Sequence, residues 1–433
     1  MKNLIIFIGL TSLAATADAE TWSLDRCIDY AIEHNIDVRS RGLDHASAEI
    51  DVTEAKSNFL PTVNAGASQH FGFGRGLTSD NTYVSRNTSQ TGWSVDLSLP
   101  LFQGLSNVRR LKYAKANLKA IAEEWEAAKE NVAINITAQY LQVLYCREMH
   151  EVAQEQLRMS TVEMERRTAL LEAGKIPELD LTQARSQVAQ DGLAVVNAEN
   201  DYQLALLDLT QMMQLSSTDG FEVIPVDDKS GEHLTAEGVY ANALEYNHTV
   251  RAAALSVDAA DRNVSLARTG YMPRLSLTAG IGSSYYHLNG ETNPPFHRQM
   301  RDNLSKNIGL TLTIPIFDAF STRNSVKKAQ VQKLSAELRY EDAQTQLYKT
   351  IQQAYRQAIA AKAKEQSSRV ASEATKAALD AMQEKYNYGR ANATEYEQAK
   401  SDYIKSLSEA VQAKYEAILR NRILQFYNTD NRF

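Results

Sequence analysis

The stretch "LLEAGKIPELDLTQARSQ" (Leu170–Gln187) breaks a long helical pattern at Gly174 and Pro177, and "KYNYGRANATEYEQAKSD" (Lys385–Asp402) breaks another at Gly389. Gly389 minus Gly174 is 215, and at that offset Gln183 meets Gln398, Ala184 meets Ala399 and Ser186 meets Ser401. Upstream of the breaks, from about Ser106 to Glu172 and from about Ser321 to Tyr388, there is neither proline nor glycine. These runs are rich in Ala, Glu, Gln, Lys and Leu, all strong helix formers. Each predicts a helix of roughly 100 Å at about 1.5 Å per residue, several times longer than a globular helix. The chain then reverses and a second helix runs back, from Pro177 to about Leu215 and from Thr394 to about Tyr427.

Outward from these turns the chain reads as a tandem duplication. "YAIEHNIDVR" (Tyr30–Arg39) aligns with "NALEYNHTVR" (Asn242–Arg251) at an offset of 212, with Ala31/Ala243, Glu33/Glu245, Asn35/Asn247, Val38/Val250 and Arg39/Arg251 identical. The register holds to Pro61/Pro273 and has shifted to 215 by Pro100/Pro315, so three extra residues lie between Pro273 and Pro315. Each half opens with a helix (Leu24 to about Asn58, Thr235 to about Thr269), which proline terminates. A strand pair follows. Trp93, Val95, Leu97 and Leu99 alternate with Ser94, Asp96 and Ser98, and Ile308, Leu310, Leu312 and Ile314 alternate with Gly309, Thr311 and Thr313. Period two gives each strand one oily and one polar face. The expected division is a secretory signal peptide over 1–19, a first repeat over 20–228 and a second over 229–433. The first carries a β-hairpin at about 61–100 and a helical hairpin at about 104–215 with its tip at 173–178. The second carries a β-hairpin at about 273–315 and a helical hairpin at about 319–427 with its tip at 388–394.

The signal peptide rests on Lys2, the apolar run Leu4–Ala15 and the small-residue cleavage site Ala17–Ala19. No later segment has the roughly 18 apolar residues a spanning helix needs, so any membrane entry is by strands. No cysteine stands at the cleavage point to take a lipid anchor. Cys27 and Cys146 both sit in helical patterns. A disulfide between them is open in an oxidising compartment, but two buried unpaired thiols fit the patterns better. A net charge of −7 argues against nucleic acid as a partner, whose footprint is basic.

Two hairpins supply four strands, too few to close a barrel, for which about eight is the smallest fillable number. An open sheet in lipid leaves unsatisfied edges, which the bilayer forbids. The strands must therefore be pooled among copies of the chain, and two, three or four copies all satisfy the strand arithmetic. A soluble coiled coil is the plainer reading of the alanine-rich helices alone, and the signal peptide with two amphipathic hairpins weakens it.

The sequence resembles the TolC family of outer-membrane efflux proteins over essentially the whole mature chain. The resemblance is carried by "LDRCIDYAIEHNIDVR", by "NFLPTV" and "GYMPRL" entering the hairpins, by "LPLFQG" and "IPIFDA" leaving them, and by the two glycine turns. It implies a mixed, mainly α fold in a homotrimer, with twelve pooled strands forming a β-barrel in outer-membrane lipid and long helices forming a periplasmic α-barrel. It also implies an exit duct for a tripartite efflux or type I secretion system, docked to a periplasmic membrane-fusion adaptor and an inner-membrane pump of RND or ABC type. No cofactor or metal is implied. The transported substrate is set by the pump, and nothing in the chain names it.

By the same resemblance the reversals at Gly174 and Gly389 form the periplasmic tip. Asp180 and Glu395, six residues after the glycines, take the places of acids lining the entrance, and Gln183 and Gln398 stand where a further acid can occur. Tyr386 takes the place of a tyrosine that latches the closed state through the first turn's acid. The usual latching arginine falls on Ala391, with Arg390 one earlier. Asp180→Asn combined with Tyr386→Phe is therefore expected to raise resting conductance. Asp180 and Glu395 also suit plain capping, since both lie in first turns and "NATE" (Asn392–Glu395) reads as a capping box. Gly174, Lys175 and Ile176, with Gly389, Arg390 and Ala391, are the adaptor-docking candidates. Both glycines equally suit a left-handed C-cap.

No catalytic set emerges. "SVKK" (Ser325–Lys328) lacks the partner motifs of penicillin-recognising enzymes, "GFGRG" (Gly72–Gly76) is followed by no helix, and His150–Glu151 opens no zinc motif. The alternative is a trimeric structural stalk or adhesin without transport. It needs no polar strand face, yet Ser94, Asp96, Ser98, Thr311 and Thr313 supply one. The segments Gly74–Gln90 and His287–Asn303 are expected to be the loops facing outside.

Overall fold

The computed structural model describes residues 20–77, 81–85, 87–218, 220–226 and 235–428. The expected signal peptide at 1–19 lies outside them. The first half runs β1 (Glu20–Trp22), α1 (Leu24–His34), α2 (Ile36–Ser57), β2 (Thr62–Gly72), β3 (Arg75–Leu77), β4 (Tyr83–Ser85), β5 (Thr88–Phe102), α3 (Ser106–Glu172) and α4 (Glu178–Met212). The second half runs β6 (Phe221–Val223), α5 (Ala236–Tyr246), α6 (His248–Ala267), β7 (Arg274–Leu288), α7 (Phe296–Asp302), β8 (Ser305–Thr313), α8 (Ser321–Asn387) and α9 (Ala393–Asn428). Helices α3 and α8 are each 67 residues long. No helix among the described residues is long and apolar enough to cross a membrane.

The opening helix of each half is broken, where one continuous helix was expected. Asn35 and Asn247 both adopt extended backbone (ψ 134° and 116°) and cap the preceding helices through their N–H groups. The Asn35 side chain accepts the Asp37 N–H at 2.9 Å, so a short amide competes with the helical ladder and restarts it one residue later. Ser23 and Thr235 cap the helices on their other side, accepting from Arg26 N and Gly238 N.

One compact unit comprises residues 42–124 and 248–343. Its centre is an antiparallel sheet ordered β2-β5-β7-β8. Cross-strand register sorts side chains into rows. Val63, Leu97, Ala279 and Ile308 form an apolar row, and Asn64, Asp96, Gly280 and Asn307 form the adjacent polar row. The oily face therefore runs unbroken across all four strands. Gly280 leaves room in its row for two polar side chains: an added Cβ would stand 2.8 Å from Asp96 Oδ1 and 2.7 Å from Asn307 Oδ1, and both would have to swing aside. Trp93, Ile308, Leu310, Leu312 and Ile314 are exposed, while Val95, Leu97 and Leu99 on the central strand β5 are half-buried.

The two hairpins share one register. Thr62 pairs with Ser98, and adding 212 and 215 gives Arg274 and Thr313, which also pair. Both offsets therefore hold through the strands, and the three extra residues lie in the second loop. That loop contains α7, whose Gln299 binds Tyr286 N and O at 3.0 Å each and so occupies the β7 edge beyond the end of β8. Each strand-to-helix junction passes through two consecutive left-handed residues, Gly104–Leu105 (φ 59° and 65°) and Ala319–Phe320 (φ 52° and 64°).

The other unit comprises residues 20–41, 125–247 and 344–433, so far as they are described. Its core surrounds Tyr140, fully buried on α3 beneath the parallel pair β1–β6. The Tyr140 hydroxyl lies 2.8 Å from Trp22 O and 2.7 Å from Ile224 O, and accepts the Ile224 N–H at 3.0 Å. Arg147 donates to Val223 O at 2.9 Å. One tyrosine thus fastens the first strand to the segment joining the halves. Cys27 and Cys146 lie in this core as free thiols, and burial pushes the Cys27 thiol up to about 12.

Candidate functional site

Both reversals are Schellman turns. At the first, Lys175 N–H bonds Leu170 O at 2.8 Å and Gly174 N–H bonds Leu171 O at 2.8 Å. At the second, Arg390 N–H bonds Lys385 O at 2.8 Å and Gly389 N–H bonds Tyr386 O at 3.1 Å. Gly174 and Gly389 have φ of +69° and +67°, the left-handed conformation this motif demands. Turning the chain accounts for both glycines. Lys175 and Arg390 project as exposed cations beside Ile176 and Ala391, which are half-buried.

The two acids differ in their engagement. Glu395 closes a capping box: its carboxylate accepts the Asn392 N–H at 2.9 Å, while its own N–H reaches Asn392 Oδ1 at 2.8 Å. Helix α4 follows Pro177 at its N-cap, which supplies no side-chain hydrogen bond. Asp180 in its first turn is half-buried and contributes its backbone carbonyl, which accepts from Arg167 at 3.3 Å. Gln183 is exposed, and Gln398 donates to Asp402 at 2.9 Å.

Behind the turns lies a network with members that sequence reasoning missed. Tyr386 donates to Glu163 Oε1 at 2.5 Å, stacks on Tyr396 with ring centroids 5.0 Å apart, and carries the Arg166 guanidinium 4.1 Å over its ring. Within one chain, then, the phenol that the resemblance pairs with Asp180 goes to Glu163 on α3. Burial and the Glu163 carboxylate together push the Tyr386 hydroxyl up to about 12. Arg167 binds Glu163 at 2.8 Å and reaches Glu397 at 3.4 Å. Burial works against its charge, but Glu163, with Tyr386 and Glu397 beside it, outweighs this and holds the guanidinium above its ordinary value. The guanidiniums at this site therefore come from α3, where Ala391 had left the place vacant. The signal was the cluster "EMERR" (Glu163–Arg167) before the turn. At +215 Glu163, Arg166 and Arg167 become Ala378, Ala381 and Met382.

Farther from the turns, Lys400 on α9 is buried against α3 and α4. Its Nζ donates to Ser160 Oγ at 2.6 Å and lies 3.8 Å from both Asp191 and Glu397. Asp191 accepts from Gln156 at 2.6 Å, from Gln187 at 2.9 Å and from Ser160. At +215, Ser160 and Asp191 become Thr375 and Ser406, an uncharged pair 2.5 Å apart.

Among the described residues no cluster of His, Cys, Asp and Glu is suited to a metal ion. The family model described as "Outer membrane efflux protein" matches residues 27–213 and 239–426, one segment in each half. Outer membrane protein TolC of Escherichia coli (strain K12) is 22% identical over 97% of this chain and 85% of its own length. Outer membrane efflux protein BepC of Brucella suis biovar 1 is 23% identical over 96% of this chain and 86% of its own. The outer membrane protein VceC of Vibrio cholerae has a solved structure that superposes with a TM-score of 0.76 at 16% identity, covering 94% of this chain and 96% of that one. With both halves matched and relatives aligned nearly end to end, the chain belongs to the outer membrane efflux protein family and is an efflux channel of the Gram-negative outer membrane.

Proposed function

We propose that three copies of this chain pool their sheets into a twelve-stranded outer-membrane barrel, continued into the periplasm by the helical hairpins of two repeats, 20–228 and 229–433. The observation that carries this is the four-stranded sheet, with one oily and one polar face and its edge strands β2 and β8 unpaired among the described residues. Lipid forbids open edges. Copies joined edge to edge satisfy them and leave Asp96 and Asn307 facing water inside. The oily face, with Trp93, Val95, Leu97, Leu99, Ile308, Leu310, Leu312 and Ile314, then meets lipid. A structural stalk has no comparable use for the polar face.

The helix reversals are the periplasmic entrance. Gly174–Ile176 and Gly389–Ala391 offer turn backbone and two exposed cations to a periplasmic adaptor, behind which stands an inner-membrane pump. Asp180, repeated by symmetry, makes an acidic ring, and Glu395, Gln183 and Gln398 stand beside it. Tyr386, held by Glu163, latches the closed state, with Arg166 and Arg167 supplying the guanidinium that Ala391 lacks. Purified protein in planar bilayers should have three chains by native mass and should conduct once its tip is released; a pore-free protein under every condition, tip variants included, would return the stalk.

Leu310→Arg, on the oily face, is expected to destabilise the lipid-embedded protein by about 2–4 kcal/mol, whereas Ser98→Arg on the polar face leaves stability near wild type and alters ion selectivity. Urea midpoints in liposomes and reversal potentials separate the two. Equal loss at both positions would reverse the assignment of faces.

A further inference from the structure

We propose that the outer end of the oily face binds a phosphorylated glycolipid of the outer leaflet through Lys306, Arg298 and Arg301, one molecule per chain. The site rests on the barrel reading and adds what that reading leaves open, a charged contact with one class of lipid.

The strand register places Lys306 on the lipid side. It pairs with Ile281, which pairs with Val95, which pairs with Ala65, so it stands in an oily row. On β8 the same face continues with Ile308, Leu310 and Leu312. Among the described residues, no other lysine, arginine, aspartate or glutamate lies on that face of the four strands. Lys306 is exposed, and its ammonium has no partner among the described residues. A lysine at the edge of an apolar band keeps its stem in hydrocarbon and carries its charge to the headgroups. The counterpart in the first half, at −215, is Thr91, which donates to Gln69 and is uncharged. Each chain therefore has one such position, not two.

Beyond Lys306 the face turns aromatic and then basic. Trp93 pairs with Ser283 one row farther out, and Tyr285 follows. Ser283 is buried and donates to Met300 O at 2.6 Å, and the Phe296 ring meets Tyr285 edge-on at 5.1 Å. Helix α7 therefore lies across the outer end of the oily face. Aromatic girdles of this kind mark the level of the headgroups. On α7, Arg298 and Arg301 share one carboxylate, Asp302, at 3.5 and 2.9 Å, with side chains 65% and 76% exposed. Three cations against one carboxylate leave two positive charges unmatched. Guanidinium takes phosphate through paired donors, and cations clustered beside an apolar surface favour anionic lipid over neutral lipid. Ile281 and Ile308 beneath the cations suit acyl chains, which free phosphate lacks.

The test takes the full-length protein from vesicles of phosphatidylcholine carrying diphosphorylated lipid A and counts bound lipid by native mass. Wild type should retain lipid A at up to one per chain. Lys306→Ala combined with Arg298→Ala and Arg301→Ala should retain at least about tenfold less, the change expected from losing even one hydrogen bond to a charged group. Lipid A stripped of its phosphates should be lost from wild type to the same degree. Arg274→Ala, removing a cation from the polar face at the other end of β7, should retain as much as wild type. Equal retention by the triple variant, or of the stripped lipid, overturns the site, and a three-chain mass in the same spectrum leaves the barrel standing. A single-chain mass sinks the barrel reading and the site with it. Displacement of lipid A by inorganic phosphate would make free phosphate the ligand and overturn the lipid. Should the triple variant fail to assemble, Lys306→Ala alone decides: a lowered lipid A count supports the site, and an unchanged one overturns it.

Discussion

Tyr386→Phe is expected to raise the resting conductance of the reconstituted channel about tenfold to a hundredfold. The substitution deletes one atom group, the hydroxyl 2.5 Å from Glu163. It leaves the ring, which keeps its stack on Tyr396 and its place under Arg166. A hydrogen bond to a charged group is worth about 1.5–3 kcal/mol, and each ~1.4 kcal/mol is a tenfold change in a closed-to-open equilibrium. Asp180→Asn alone should leave resting conductance near wild type, because the Arg167 bond is to the Asp180 backbone carbonyl. It should instead lower cation preference by removing the ring charge. Unchanged conductance in Tyr386→Phe would end the latch. The pH response has a definite sign. A phenol raised from its ordinary value near 10 to about 12 contributes stability that is complete below pH ~10 and is lost as pH climbs toward 12. Through this group, then, the closed state is flat between pH ~6 and ~9 and loosens only in strong alkali.

Lys400→Met is expected to destabilise the protein by about 3–5 kcal/mol, the range for removing one member of a buried ion pair. Asp191, left behind, keeps its bonds from Gln156, Gln187 and Ser160, but not the nearest buried cation to balance it. Adding Asp191→Ser should restore most of the loss. The second half already demonstrates that solution, holding Thr375 against Ser406 with no charge at all. Denaturant midpoints of the single and double variants supply the cycle. A double variant as unstable as Lys400→Met alone would mean the lysine acts through packing of its stem, not through its charge.

The strand faces and the turns were legible in the sequence because each rests on a local rule. Trp93–Leu99 alternates with period two, and Gly174 and Gly389 sit where only a left-handed residue ends a 67-residue helix. The helix breaks at Asn35 and Asn247 were not. An asparagine inside a helical pattern reads as tolerated, and only the Asp37 N–H bound to the Asn35 amide reveals the competition. The tip network escaped for a different reason. Glu163, Arg167, Tyr386 and Glu397 come from three helices, and what unites them is packing across the helical hairpins, which no single-helix spacing encodes. A resemblance supplied the place of Tyr386 and left its guanidinium partner open at Ala391 and Arg390; within the chain the guanidinium over its ring is Arg166 of α3.

Duplication has not left the two reversals alike. Where the second carries the Tyr386–Tyr396 stack tied to α3, the counterparts in the first are Leu171 and Leu181, with Leu181 buried and no hydroxyl to give. In the proposed ring of three chains there would be six hairpin ends, of which three carry a releasable phenol and three are merely greasy. Dilation is then expected to begin at every second hairpin, so that the aperture widens as a triangle before it becomes a circle.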